Sequence, residues 1–159
     1  MMDENDVQND VQISGMYLSS KLFGHNGNFP IDCTCDGKET TPPLEIYGVP
    51  KGAKSLALIL RDPDAPSGQF YHWVVWNIDP HTKEIPAGSV PNGAIQGLTT
   101  TKNNFYIGPC PPSGTHRYFF DLYALDKILT LPEKTTAPQL KAAMEGHILE
   151  QAELMARYR

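Results

Sequence analysis

Residues 56–78 read LALILRDPDAPSGQFYHWVVWNI, and the fold is decided there. Five consecutive apolar residues, Leu56 to Leu60, sit between Lys54-Ser55 and Arg61-Asp62, the pattern of a strand buried on both faces. Asp62-Pro63-Asp64-Ala65-Pro66 follows. Each proline fixes its own φ and pushes the residue before it into extended geometry, so neither Asp62 nor Ala65 continues a helix. The two carboxylates are therefore expected on a stiff turn at a strand end. After Ser67-Gly68 the chain returns as His72-Trp73-Val74-Val75-Trp76-Asn77-Ile78. A period of two puts His72, Val74, Trp76 and Ile78 on one face and Trp73, Val75 and Asn77 on the other. With the two strands as neighbours, His72 begins close to where the aspartates end.

A third strand is expected over Gly114–Leu125. Its alternation places His116, Tyr118, Phe120, Leu122 and Ala124 on one face and Arg117, Phe119, Asp121, Tyr123 and Leu125 on the other. Both faces are largely apolar, so this strand is expected to be internal. Leu44–Tyr47 is a short strand that Pro42-Pro43 assigns to a sheet edge, and Met16-Tyr17-Leu18 carries a weaker strand signal. Asp79–Ser113 is mostly connection, and a loop-rich stretch of that length in a compact domain is usually functional. Thr136-Ala137-Pro138-Gln139 reads as a capping box. Leu140, Met144, Ile148, Ala152 and Met155 then form a stripe at helical spacing. It predicts a helix running nearly to the C-terminus, packed on the sheet or, in a homodimer, on a second subunit. The body is mainly β with one C-terminal α-helix.

The chain has 159 residues, of which 14 are Pro and 13 Gly, and these cluster between the apolar runs, favouring short strands joined by shaped loops. Residues 1–11 are polar and acidic and are expected to be a disordered tail, with 12–159 a single domain. The net charge is −5, but Asp3, Glu4, Asp6 and Asp10 all lie in the tail, so the body is nearly neutral. It has no basic footprint for nucleic acid. No basic segment followed by an apolar one marks a signal peptide, and no apolar run is long enough to span a membrane. Cys33, Cys35 and Cys110 are odd in number, for which a reducing cytoplasm is the simpler expectation. A Cys33–Cys110 or Cys35–Cys110 bridge stays open.

Three features together resemble the phosphatidylethanolamine-binding protein family, and within it the bacterial and archaeal Raf-kinase-inhibitor-like branch. They are Asp62-Pro63-Asp64-Ala65-Pro66, the His72-Trp73 strand start, and Gly108-Pro109-Cys110-Pro111-Pro112-Ser113-Gly114-Thr115-His116-Arg117-Tyr118. Thr34-Cys35-Asp36-Gly37, Pro42-Pro43-Leu44 and Ala143–Leu149 extend the likeness, which runs from Phe29 to Tyr158. The resemblance implies an antiparallel β-sandwich of two sheets with Greek-key-like connections, and a small surface pocket for anions such as phosphate. It assigns that pocket to Asp62, Asp64, His72, Gly108, Pro109, His116 and Tyr118. Cys33 and Ile46 stand where the family commonly has Tyr and Trp, and Ile107 where it often has glycine, departures that bear on the pocket rim.

As chemistry, two carboxylates would repel a phosphate unless they act through the histidines. A carboxylate within about 4–6 Å favours the imidazolium, so His72 and His116 are expected to be cationic near neutral pH. Each would donate one N–H to its aspartate and the other to the ligand, with Tyr118 adding an O–H and Gly108 a backbone amide. Affinity is then expected to fall as pH rises through the histidine pKa values. These features favour a non-enzymatic module that binds a phosphate or phosphoryl head group and regulates a protein partner, a kinase or peptidase, with no cofactor. Its rivals are a metalloenzyme using the Asp/His set, a hydrolase built on Ser113 or Ser67 with His116, and a purely structural interaction module.

Overall fold

The structure, a computed structural model, describes residues 15–159, so the acidic segment expected as a tail lies outside the described residues. Among the described residues nine strands form two sheets: β1 Tyr17–Ser19, β2 Gly27–Asn28, β3 Leu44–Tyr47, β4 Ser55–Ala65, β5 Gly68–Ile78, β6 Glu84–Ile85, β7 Ile95–Gln96, β8 His116–Leu125 and β9 Ile148–Tyr158. The larger sheet has the order β2-β9-β8-β4-β5-β7 and the smaller β1-β3-β6. Among the described residues one α-helix, α1 (Ala137–Met144), precedes β9, and Ile31–Cys33 is a 3-10 turn.

The long hydrophobic strands form the middle of the larger sheet because both of their faces are apolar. Leu56, Leu58 and Leu60 of β4 enter one core with Tyr118, Phe120, Leu122 and Ala124 of β8, and Leu18, Leu44, Ile46 and Ile85 of the small sheet close over them. Ala57 and Ile59 enter a second core on the opposite face, with Val74, Trp76, Tyr123 and Leu125. That face is covered by Ala137, Leu140 and Met144 of α1. The capping box forms as expected, the Thr136 hydroxyl accepting from the Gln139 N–H and the Gln139 side chain from the Thr136 N–H.

Four expectations need correction. The helical stripe ends at Met144, and Ile148–Tyr158 is instead a strand paired with β8 along its length, from Leu125↔Ile148 to His116↔Tyr158. A spacing of four is twice two, so Met144, Ile148 and Ala152 satisfy both periods. Gly146, at φ 79°, turns the chain out of the helix where a side chain would be strained. The sheets are not purely antiparallel, since β2 pairs with β9 in parallel. β3 is the middle strand of its sheet, because Pro42-Pro43 lie ahead of the first paired residue and remove no donor from the ladder. Finally, β4 does not stop before the acidic motif but continues through it to Ala65, with register breaks between Asp62 and Ala65.

β5 departs from strict alternation at two points. Leu58 pairs with Val75 and Leu56 with Ile78, and the extra residue is absorbed at Asn77 with φ 56°, which returns Ile78 to the core of Trp73 and Val75. Further up, Leu60 pairs with Trp73 and Arg61 with Tyr71, leaving His72 as the extra residue of a β-bulge.

Candidate functional site

The bulge at His72 is what assembles the site. An unbroken strand would turn His72 towards Val74 and Trp76, under α1. The extra residue instead brings its ring against Phe70 (centroids 4.6 Å apart) and edge-on to Tyr118 (5.4 Å). Tyr118 and His116 begin β8 on one face, as the alternation predicts, with their rings 6.3 Å apart. Asp62 reaches the same place from β4, and its Oδ2 lies 2.6 Å from His116 Nδ1. Its Oδ1 accepts the Asp64 backbone N–H at 2.7 Å. Asp62, His72, His116 and Tyr118 are all nearly sealed from solvent, at 3, 5, 7 and 1% exposure.

These four side chains line a cavity of about 330 Å3 whose walls include Ala65, Pro66, Ser67, Phe70, Ile107 and Pro111. The far wall is the proline loop that precedes β8. A Cys35–Cys110 disulfide ties it to the segment after the 3-10 turn, leaving Cys33 buried and free. Backbone bonds hold it as well, from the Cys35 N–H to the Pro109 carbonyl and from the Ile107 N–H to the His72 carbonyl. Gly108 is needed for contact, because a Cβ there would lie 2.7 Å from the Cys33 carbonyl oxygen and 2.8 Å from Glu39 Cγ.

The His72 Nδ1 lies 2.7 Å from the Ile107 carbonyl oxygen. A carbonyl only accepts, so Nδ1 carries the hydrogen and Nε2 the lone pair. Burial pushes the His72 imidazole down to about 4, outweighing the Ile107 carbonyl and the Asp62 charge, which favour protonation. His72 is therefore neutral at pH 7, against the expected imidazolium. Tyr118 is held in its phenol form, chiefly by burial. Its hydroxyl, His72 Nε2 and His116 Nε2 have no hydrogen-bond partner among the described residues. The one fully buried side-chain polar atom without a partner there is Trp76 Nε1, so these three atoms retain solvent contact, and the cavity is where they meet it.

Of the seven residues singled out in the sequence, Asp62, His72, Gly108, His116 and Tyr118 line the cavity, and Asp64 and Pro109 do not. Asp64 is turned to Arg117, accepting from its backbone N–H (2.9 Å), Nε (2.9 Å) and Nη2 (2.8 Å). Those bonds hold its carboxyl down at about 2. It therefore does not serve His72, whose hydrogen goes to a carbonyl. Gly108 lines the wall, but its amide is engaged by the Glu39 carboxylate at 2.9 Å and is not offered to a ligand. Of the three departures from the family pattern only Ile107 reaches the cavity, while Cys33 and Ile46 lie in the core. The sequence reading missed the apolar wall, and above all Phe70. Its signal was an aromatic two residues before the histidine.

Residues 19–159 match the protein family described as phosphatidylethanolamine-binding protein. The chain belongs to that family. Among its relatives is a UPF0098 protein of Methanothermobacter thermautotrophicus, 48% identical over 149 residues, covering 91% of this chain and 99% of the relative. A UPF0098 protein of Chlamydia pneumoniae is 45% identical over 148 residues, with 90% and 98% covered. The crystal structure of the phosphatidylethanolamine-binding protein homologue CT736 from Chlamydia trachomatis superposes with a TM-score of 0.89 at 41% identity, covering 92% of this chain and 98% of that one. Escherichia coli YbcL, a member of the mammalian phosphatidylethanolamine-binding protein family, gives 0.85 at 26%, with 91% and 98% covered. Family membership supports a ligand-binding or regulatory protein.

Proposed function

We propose that the cavity binds a phosphoryl group, free or as a head group, and that the chain regulates a protein partner of the kinase or peptidase type by contact and not by catalysis. One observation carries this reading. Three polar atoms on different residues, His72 Nε2, His116 Nε2 and the Tyr118 hydroxyl, are left without partners on rings that line one small cavity. Polar atoms of three residues that have no protein partner among the described residues and converge on one solvent-open cavity are the pattern of a ligand site. Phe70 and the prolines suit the small organic group attached to a phosphoryl, in a cavity of about 330 Å3. The same reading takes the two facing sheets as halves of a sandwich with Greek-key-like connections and residues 12–159 as one domain.

The rival chemistries find little to use. Both oxygens of Asp62 and both of Asp64 are already engaged, and no group of three or more His, Cys, Asp or Glu suited to a metal ion occurs among the described residues. Neither Ser67 nor Ser113 is hydrogen-bonded to a histidine among the described residues. No helix there is long and apolar enough to cross a membrane. A cytoplasmic placement has to accommodate the Cys35–Cys110 bond, which a reducing cytosol tends to open, and thiol labelling in intact cells tells the two environments apart.

Calorimetric titration with phosphoethanolamine and with inorganic phosphate tests the reading. Saturable binding that weakens in Tyr118→Phe supports it, and no heat with either ligand at millimolar concentration removes it.

A further inference from the structure

The cavity walls carry a carboxylate where an anion is to bind. Asp62 lies 2.6 Å from the His116 ring, so an imidazolium at His116 only offsets that charge, and the Tyr118 hydroxyl adds none. At His72 burial disfavours the charged form. A phosphoryl anion beside Asp62 therefore needs a cation from outside the four buried side chains.

Two arginines stand at this end of the β8–β9 ladder. Arg117 is unsuited, because strand alternation puts it on the face opposite His116 and Tyr118, and three bonds commit it to Asp64. Arg159 is placed differently. It follows Tyr158, which pairs directly with His116 and so shares the cavity face. The Thr115 hydroxyl donates to the Arg159 carbonyl and holds its backbone beside the start of β8. The Arg159 guanidinium rests over the Tyr158 ring at 5.3 Å, and its Nη2 donates to Asp36 Oδ2 at 2.6 Å. Asp36 follows Cys35, whose disulfide partner Cys110 lines the cavity. The cation is thus anchored on one side by the strand end next to His116 and on the other by the segment tied to the far wall. The Tyr118 hydroxyl, held as a phenol chiefly by burial, also feels its charge.

We infer that Arg159 is a ligand-binding residue of this cavity, its guanidinium exchanging Asp36 for the oxygens of the bound phosphoryl group. This rests on the phosphoryl-binding reading above and adds a residue to that same site. Of the guanidinium nitrogens only Nη2 has a partner among the described residues, so most of its five N–H donors are free. The Asp36 pair is about half exposed on both sides, a setting in which an ion pair is weak and easily exchanged. A phosphoryl group offers the guanidinium fork two oxygens at once, the stronger arrangement. Asp36 is not stranded by the exchange, because the Tyr158 hydroxyl still donates to it.

The test is calorimetric titration of the full chain with inorganic phosphate at pH 7, at low and at physiological ionic strength. Arg159→Gln is expected to weaken binding about tenfold, the worth of one charge-assisted hydrogen bond, and to flatten its salt dependence. Arg159→Lys keeps the charge but loses the fork, and is expected to recover only part of the loss. Arg157→Gln removes the same charge from the opposite face of β9, where Arg157 is exposed and pairs with Arg117. It is expected to leave affinity within about twofold. Unchanged affinity in Arg159→Gln, or an equal loss in Arg157→Gln, overturns the inference and leaves phosphoryl binding standing. Absence of phosphate binding by the wild-type chain overturns the phosphoryl reading itself, and this inference with it.

Discussion

β4 and β8 carry two acid–base pairs on opposite faces of the same sheet, one residue apart in β4, and they differ in what is left over. On the face towards α1, the Arg61 Nε donates to Asp121 Oδ2 at 2.5 Å, its Nη2 lies 3.6 Å from Glu153 Oε1, and its guanidinium rests on the Phe119 ring at 4.3 Å. The cation is held on one edge by Asp121 and on one face by Phe119, and neither Arg61 nor Asp121 lines the cavity described above. On the other face, Asp62 holds His116 at 2.6 Å, but the far nitrogen of the ring is unpaired and an opening of about 330 Å3 lies beside it. Burial alone does not distinguish the pairs, since Asp121 is as enclosed as His116, at 8 against 7% exposure. What separates the pairs is what lies beside them, a packed aromatic ring for Arg61 and a cavity for His116.

Removing one partner from each pair sharpens the contrast. Asp121→Ala strands a largely buried guanidinium and is expected to lower stability by about 3–4 kcal/mol in urea unfolding, with ligand affinity unchanged. A loss of affinity there would mean that the two faces are coupled.

Next in size is the acid response of the cavity face. The His72 pKa falls from 6.5 in the unfolded chain to about 4 in the fold. Between those values the unfolded chain binds the additional proton. The contribution of this residue is therefore present above pH 6.5 and is lost as pH falls to 4, by about 3 kcal/mol. Unfolding free energies of wild type and His72→Gln should diverge by that amount between pH 7 and pH 4. Parallel curves would show that the ring is not held neutral.

Tyr118→Phe removes a hydroxyl that has no hydrogen-bond partner among the described residues, so stability is expected to move by no more than about 0.5 kcal/mol while phosphoethanolamine binds about tenfold more weakly. The reverse outcome would make Tyr118 a core residue only. The smallest effect belongs to the third pair, Asp64–Arg117, which is partly exposed. Asp64 titrates at about 2, below its ordinary value of 3.8, so its contribution is present above that value and fades as pH falls towards 2. Arg117→Ala is expected to lower stability only slightly at pH 7, read by urea unfolding, and to leave binding intact.

The long strands were legible because their burial is two-sided. Leu56–Leu60 and the alternation through Tyr118–Leu125 leave one arrangement, an internal strand, and both occur. What escaped depends on partners distant in sequence. The facing of His72 follows from a pairing register with β4 that the β5 sequence does not state, and strict alternation assigned it to the wrong face. Asp64 looked equivalent to Asp62, two residues away, until Arg117 proved to be the better partner. The choice of Cys35 over Cys33 for Cys110 was equally out of reach, since both cysteines lie in one loop and packing buries only the first. In the last strand, residues spaced by four satisfied two periods, and only the register with β8 separates them. The shared face of His116 and Tyr118 followed from strand period, whereas their meeting with Asp62 from another strand was implied only by the family resemblance.

The most direct test follows the imidazole 15N and 1H signals of all five histidines while inorganic phosphate is added at pH 6. The His72 and His116 signals are expected to move together and to saturate, while those of His81 and His147, exposed and paired with Asp79 and Asp126, stay in place. Signals that move equally in all of them, or not at all at His72 and His116, would contradict a phosphoryl site built on these two rings.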